Sequence, residues 1–298
     1  MSLLLFFIDG LGIGTRGAHN PLDGLADADP LAVFQDEPPN LIHDGRLVAT
    51  DACLGIPGRP QSASGQTTIL TGVNAAAAIG AHKQGFPNQA LLEIIREHSL
   101  FLQLTRAGVA PITFANTYTK GFFAERPRWI SATTAAVEAA GLRFNTVEDL
   151  NEERAVFMDF TNEMLIARGE LASLRTPEEA GKILAGIVKN HRFTLYEYFI
   201  TDKMGHAQDM QGARLVLQNL ARYLRALLQH LDLNATTVVL TSDHGNIEDL
   251  SVRNHTLNRV PTLIWGKERD YFASRITSLI DITPSIVKTL TAKASAHS

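Results

Sequence analysis

Six side chains able to hold a divalent metal sit at the ends of short apolar runs: Asp9, Asp202, His206, Asp243, His244 and His255. Asp9 closes the run 2–8, and Asp202 with His206 follows the run 193–201 in D-K-M-G-H. Asp243 and His244 close the run 236–241 in T-S-D-H-G-N, and His255 opens H-T-L-N-R-V-P just before the run 260–265. Neutral imidazole and carboxylate together suit Zn²⁺ or Mn²⁺. Each residue has a plainer role taken singly: a strand-terminal Asp is commonly a turn former or helix N-cap, and an isolated His a satisfied polar residue. Five of the six fall in three tight clusters, which separate accidents explain poorly.

A serine is also placed for chemistry. Gln61-Ser62-Ala63-Ser64-Gly65-Gln66 is a polar turn running into an apolar stretch expected to be helical from Thr67 to Ala78. A hydroxyl at a helix start lies at the positive end of the dipole, which favours an alkoxide and an incoming phosphate. Ser62 and Ser64 are equally readable as plain N-caps. Gly12, Gly14 and Gly17 spell G-x-G-x-x-G after the first apolar run, the spacing of a dinucleotide site. The residues that follow, His19-Asn20-Pro21-Leu22-Asp23-Gly24, favour turns where that motif requires a helix. The glycines are expected instead to let a loop bend away from Asp9.

Strands are expected at 2–8, around 109–115 and at 193–201, 236–241 and 260–265. Helical patterns fall at 89–107, at about 211–231, and from near Asp281 with Pro284 in the first turn, followed by a polar tail. This alternation predicts an α/β fold with a mainly parallel sheet sandwiched between helices, in which ligands bind beyond the carboxyl ends of the strands. Residues 1–115 and 191–298 form the expected catalytic core. The stretch 116–190 has a different texture, with basic loops, an Ala-rich helix at 132–140 and a short apolar run at 155–160, and is expected to be an inserted cap.

The 298 residues are 45% hydrophobic with a formal net charge of −4, enough for a sizeable core and too acidic for a protein held to nucleic acid by bulk charge. Cys53 is the lone cysteine, so no internal disulfide forms. There is no apolar run of membrane-spanning length, and the run 2–8 lacks the basic flank and cleavage site of a signal peptide, so a cytoplasmic protein is expected.

Together these motifs resemble the alkaline phosphatase superfamily. Alkaline phosphatases carry D-S-A-A-S-A-T-A-W-A-T-G-V around the nucleophilic serine; laid over Gln61–Val73 the serine falls on Ser62 and the T-G-V on Thr71, Gly72 and Val73. The branch containing cofactor-independent phosphoglycerate mutase and phosphopentomutase has S-E-V-G-H, matching Ser62–Gln66, with D-x-x-G-H, A-D-H-G-N and H-T-x-N-x-V-P matching Asp202–His206, Ser242–Asn246 and His255–Pro261. Asp281-Ile282-Thr283-Pro284 is similar to the closing helix of the superfamily.

The resemblance implies two divalent metal ions, one held by Asp202, His206 and His255 and the other by Asp9, Asp243, His244 and the Ser62 oxygen. It implies phosphoryl transfer through a phosphoserine on Ser62, with a small phosphorylated substrate. The positive charge of two such ions balances three Asp carboxylates and a serine alkoxide. Gln61 replaces the Asp that precedes the serine in alkaline phosphatases, and no Arg follows, so the phosphate needs another cation. Lys120, Arg126 and Arg128 in the insertion are candidates, with His82 and Lys83 nearer the core. Ser64 stands where a sulfatase requires Pro. Hydrolysis of a phosphate monoester is the leading expectation, since the small insertion leaves water access. The alternatives are an intramolecular phosphomutase and a non-catalytic metal-binding relative.

Overall fold

A computed structural model describes residues 1–292. Six strands, β1 (Ser2–Ile8), β2 (Arg46–Thr50), β3 (Ile112–Phe114), β4 (Phe193–Tyr198), β5 (Thr236–Ser242) and β6 (Val260–Gly266), form one sheet in the order β2-β6-β5-β1-β4-β3. The helices before β3 are α1 (Ser62–Thr71), α2 (Ala75–Ile79), α3 (Gln89–His98) and α4 (Leu100–Arg106). Between β3 and β4 lie α5 (Lys120–Ala124), α6 (Ala132–Ala139), α7 (Val147–Asn151), α8 (Glu163–Ala167) and α9 (Pro177–Lys189). The rest are α10 (Ile200–Ala207), α11 (Met210–His230), α12 (Arg269–Arg275) and α13 (Ile282–Thr291). The polar tail expected after α13 lies outside the described residues.

Successive side chains of β1 point to opposite faces. Leu4, Phe6 and Ile8 pack with Leu184, Leu217, Leu220 and Leu224 of α9 and α11. Leu3, Leu5 and Phe7 pack with Ile69 of α1, Ile95 of α3, Phe101 of α4, Ala136 of α6 and Ile286 of α13. The sheet is therefore buried on both faces, which explains the near-continuous apolar run of β1 and the complete burial of β5. No helix among the described residues is long and apolar enough to cross a membrane.

Strand direction decides which loops meet. β1 pairs in parallel with β4 and β5, and β4 with β3, whereas β6 is antiparallel to both β5 and β2. Five strands thus run one way and β6 alone runs the other. The start of β6 consequently lies at the same sheet edge as the carboxyl ends of β1, β4 and β5.

Several elements differ from expectation. Helix α1 starts at Ser62 rather than Thr67, and everything from Ala63 to Thr71 is buried. The helix expected over 89–107 breaks at Ser99, whose extended backbone (ψ 134°) and buried Oγ bond to Ala136 O (2.9 Å) end α3 and start α4. Strand β2, not anticipated, is a largely exposed edge strand with too little apolar alternation to announce itself.

The stretch 116–190 is not wholly separate from the sheet layers. Ala132, Ala135, Ala136 and Val137 of α6 belong to one main core, and Ala180, Leu184, Ala185 and Val188 of α9 to the other. What the stretch keeps to itself is a small cluster of Val147, Leu150, Phe157, Met158 and Leu165.

Asp149 organises the entry to that cluster. Its buried carboxylate takes two bonds from Arg143 (2.7 and 2.9 Å), one from Arg154 Nη2 (2.9 Å), and caps α7 through Thr146 N (2.9 Å). The Arg143 guanidinium, opposed by burial and helped by Thr146 and Arg154, holds the carboxyl well below its ordinary value of 3.8. A depressed folded pKa means the stabilisation is complete above the unfolded value and is lost as pH falls through the folded one. Asp149→Asn should therefore cost about 2 kcal/mol at neutral pH. In denaturant melts the gap to wild type should close only well below pH 3.8; a gap independent of pH would contradict the ion-pair account.

Candidate metal centre

β1 lies between β4 and β5, so the residues just past the carboxyl ends of these three strands are neighbours. Asp9 follows β1, its N–H donating to Tyr198 O (2.8 Å); Asp202 lies in the first turn of α10, after β4; Asp243 and His244 follow β5. His255 precedes β6, whose reversed direction brings it to the same edge.

Two groups of ligand atoms result: Asp202, His244 and His255, and Asp9, Asp243 and His244, each set with atoms within 4.8 Å of one another. In the first region His206 Nε2 lies 3.3 Å from Asp202 Oδ2, His255 Nε2 lies 3.4 Å from Asp202 Oδ1, and the two Nε2 atoms are 3.3 Å apart. In the second, His244 Nε2 lies 3.2 Å from Asp9 Oδ1, 3.6 Å from Asp243 Oδ2 and 3.0 Å from Ser62 Oγ. The His244 and His255 rings stack with centroids 3.6 Å apart, which joins the two regions.

These residues fit a divalent metal. His206 Nδ1 is 2.8 Å from Arg253 O, and His255 Nδ1 is 2.8 Å from Pro60 O. Carbonyls only accept, so Nδ1 of each ring carries a proton, and the nitrogens left to ligate are the two Nε2 atoms, 3.3 Å apart. Two imidazole nitrogens and a carboxylate converging in this way form a donor set that a divalent ion fits. Ligand atoms about 2.0–2.1 Å from a tetrahedral Zn²⁺ stand about 3.3–3.4 Å apart, matching these separations. The fixed tautomers are the outer arrangement that metal-ligating histidines use. Asp9 Oδ1 and His244 Nδ1 are buried with no hydrogen-bond partner.

The charge balance says the same. Asp9, Asp202 and Asp243 place three carboxylates close together, with Asp243 and His244 fully buried. Burial, reinforced by the charge of Asp9, pushes the Asp243 carboxyl well above the usual carboxylate range. Burial would lower His244, but Asp243, Asp9 and Asp202 outweigh it and hold the imidazole up to about 10. Burial likewise opposes ionisation of Asp202, yet hydrogen bonding with His255 and the charge of His244 bring it down to about 2. Without metal the cluster thus retains protons.

Ser62 is the first residue of α1, and no side chain caps that turn. Ser64 is differently occupied: it is fully buried, its Oγ donates to Gln61 O (3.1 Å) and accepts from Lys83 N (3.0 Å). Gly65, one turn on, lets α1 approach β5, since a Cβ there would stand 2.9 Å from Asp243 Cβ and 3.0 Å from its carbonyl oxygen.

Three polar residues not singled out in the sequence hold the ligands. Gln66 Nε2 donates to Asp9 Oδ2 (3.0 Å) and Asp243 Oδ2 (3.3 Å). Asn246 Nδ2 donates to Asp202 Oδ1 (2.6 Å). Buried Glu248 accepts from Gly12 N, Asn246 N, Thr256 Oγ1 and Asn258 Nδ2 and so fastens the loops after β1 and β5 to the one before β6. A Cβ at Gly12 would lie 2.2 Å from Glu248 Oε1, which accounts for a glycine of the nucleotide-like pattern as a close approach to a carboxylate. The signal for Asn246 and Glu248 is their place in D-H-G-N-I-E, just after two ligands.

The candidate cations are exposed and engaged elsewhere. Arg126 pairs with Glu138 (2.7 Å) and Arg128 lies over the Trp129 ring (5.1 Å), while at Lys120 it is the backbone N–H that bonds, to Glu170 (2.7 Å). Lys83 stands nearer Ser62 through its backbone pairing with Ser64, its Nζ donating to Gln84 O (2.6 Å), and His82 Nε2 is 3.3 Å from Ile56 O.

Residues 162–294 match the family model described as Metalloenzyme superfamily. That region holds Asp202, His206, Asp243, His244 and His255, while Asp9 and Ser62 lie outside it. A 2,3-bisphosphoglycerate-independent phosphoglycerate mutase of Wolinella succinogenes is 29% identical over 93 residues, 29% of this chain and 19% of the mutase. A phosphopentomutase of Alkaliphilus metalliredigens is 32% identical over 66 residues, 22% of this chain and 17% of that protein. The matches thus span under a fifth of either relative's length. The crystal structure of a cold-active alkaline phosphatase from Shewanella sp. superposes with a TM-score of 0.53 at 11% identity, covering 97% of this chain and all of that one. The match to the Metalloenzyme superfamily model covers less than half of the chain, and the α/β fold is similar to that of the alkaline phosphatase.

Two outcomes are expected. Asp243→Asn replaces a buried carboxyl that holds its proton without metal by a neutral amide of nearly the same shape, so the chelated variant should melt close to chelated wild type. The rise in melting temperature on adding Zn²⁺ or Mn²⁺ should be largely lost; an unchanged metal-induced rise would contradict the assignment. Because metal displaces the protons held on His244 and its carboxylate neighbours, apparent affinity should strengthen as pH rises from 6 toward 8. Calorimetric titration should show proton release, and a pH-independent affinity would exclude this cluster as the site.

Proposed function

We propose that this chain, with its Metalloenzyme superfamily region and alkaline-phosphatase-like fold, hydrolyses a small phosphate monoester through a phosphoserine on Ser62. One observation carries the reading. The hydroxyl on the uncapped first turn of α1 stands 3.0 Å from His244 Nε2, at the meeting point of two groups of metal-binding side chains. Asp202, His206 and His255 would hold one divalent ion, and Asp9, Asp243 and His244 a second, with Ser62 Oγ beside it; Zn²⁺ and Mn²⁺ suit the donor set. Such ions, when bound, supply positive charge that lowers the serine pKa and offsets the charge of the phosphoryl oxygens.

The chain's own residues supply the rest. The N–H groups of Ser64 and Gly65 already donate to Lys83 O and Gln61 O, so those of Ser62 and Ala63, at the positive end of α1, are the donors available to a phosphate dianion. Ser62 Oγ forms the bond to phosphorus as the bond to the departing alcohol oxygen breaks, and the alcohol takes up a proton. Water then attacks the phosphoserine, releasing inorganic phosphate and restoring the hydroxyl. Gly65 sets the depth of α1, while Gln66 and Asn246 keep the carboxylates aimed inward.

Water access favours hydrolysis over internal transfer. The His206 side chain is 36% exposed and that of Asp202 18%, and Ser62 itself is half-buried. A phosphomutase is the second reading, favoured by the mutases among the relatives; it requires the departing alcohol to be retained while water is kept out.

Ser62→Ala should lower p-nitrophenyl phosphate turnover by about three orders of magnitude or more while leaving metal content unchanged. Turnover at the wild-type level in that variant would remove Ser62 from the mechanism. Retention of a ³²P label on an alcohol product, rather than its release as inorganic phosphate, would select the mutase.

A further inference from the structure

A cavity of about 350 Å³ lies on the sheet face that carries α1, toward the carboxyl end of β4. Its floor is Glu197, near the end of β4, five residues before Asp202. One wall is α6, which packs against α1, and Phe199, partly exposed, marks the side toward α10. Glu197 is in register with Phe7, two residues before Asp9, so the cavity lies at the end of the sheet from which Asp9 and Asp202 project.

Its lining is chiefly aromatic and apolar, with Tyr118, Phe122, Phe157 and Met158 contributing. Tyr118 packs against Phe122 and Phe144 with ring centroids 4.5 Å away in each case, so the wall is a fixed aromatic surface. Two polar groups break it. Thr117 Oγ1 is buried and has no hydrogen-bond partner. Glu197 Oε2 accepts from Thr133 Oγ1 (2.6 Å), its backbone is clamped by Asn116 in both directions, and its other carboxylate oxygen is left to the cavity. A buried hydroxyl without a partner costs free energy unless a ligand supplies one.

We propose that this cavity seats the alcohol part of the phosphate ester, and that this part is a flat aromatic or heteroaromatic group bearing an N–H or O–H donor. The inference rests on the reading of Ser62 as the phosphoryl acceptor. The aromatic walls supply contact area for a ring. Thr117 Oγ1 and the free Glu197 oxygen accept its donor. A compact anionic alcohol such as a sugar acid meets the opposite: Glu125 and Glu197 line the cavity, and its one lining cation, Arg168, lies over the Phe157 ring (5.9 Å). Lys120, Arg126 and Arg128 alternate with the lining residues Gly121, Glu125 and Pro127 and face elsewhere.

The test compares kcat/KM for 3-indoxyl phosphate, 1-naphthyl phosphate and glycerol 2-phosphate in metal-loaded wild type, Phe122→Ala and Thr117→Val. Aryl esters are intrinsically easier to cleave, so the changes in ratio decide. Phe122→Ala should cut the naphthyl-to-glycerol ratio about tenfold. Thr117→Val should cut the indoxyl-to-naphthyl ratio about fivefold, one hydrogen bond's worth, without lowering the melting temperature. Saturation-transfer NMR with indole, which carries no phosphate, should show binding to wild type and loss of it in Phe122→Ala. Ratios unmoved by both substitutions, or no saturation of indole by wild type, would overturn the proposal. Saturation of indole with no ester turned over would support the cavity assignment and instead count against the Ser62 reading.

Discussion

Three carboxylates that repel one another are held together at the edge of one sheet, and much of the structure follows from that constraint. Asp9, Asp202 and Asp243 follow three adjacent strands, β1, β4 and β5, and Asp243 is wholly buried. Left to themselves such groups would separate or take up protons; the displaced pKa values of Asp243 and His244 show the second response. The strands prevent the first. Parallel pairing on both sides of β1 fixes the register of all three segments, and cores on both sheet faces leave them no direction in which to relax.

The imidazoles arrive by a different route. His244 comes with Asp243, and His206 follows Asp202 by one helical turn, so both are local consequences of placing a carboxylate. His255 depends on topology: only a strand running against its neighbours begins where they end. The carbonyls of Pro60 and Arg253 then turn His255 and His206 so that their Nε2 atoms face inward. Glu248 binds the three loops into one unit, and Gly65 admits α1 at the depth at which Ser62 reaches the cluster.

The convergence of the six ligand-type residues was legible because chemistry restricts their types and strands place them at recognisable ends, whereas Ser62 was set apart from Ser64 only by the resemblance. The mainly parallel α/β sheet was legible from the same apolar runs. What was not legible depended on contacts between distant segments. Nothing local to 260–266 announces that β6 is reversed, and β2 is too exposed to show alternation. The start of α1 at Ser62 was obscured by Ser64 and Gly65, poor helix formers whose burial against Lys83 and Asp243 outweighs their propensity. The same limit applied to 116–190: Ala-rich α6 and amphipathic α9 join the main layers through partners elsewhere in the chain. The role of Gln66 was invisible, since a buried hydrogen bond to a residue more than fifty positions away leaves no local pattern, and Glu248 was signalled only by its place just after Asp243 and His244.

Phosphoryl transfer at Ser62 requires that the converging carboxylates and lone pairs hold metal. The most direct test is the metal stoichiometry of the folded chain, by elemental analysis or native mass spectrometry after reconstitution with Zn²⁺ or Mn²⁺ and removal of the excess. The account predicts about two tightly held ions per chain, both removed by chelation. A chain that stays metal-free under replete conditions, or holds its ions unchanged when His244 and His255 are both replaced by Ala, would contradict it.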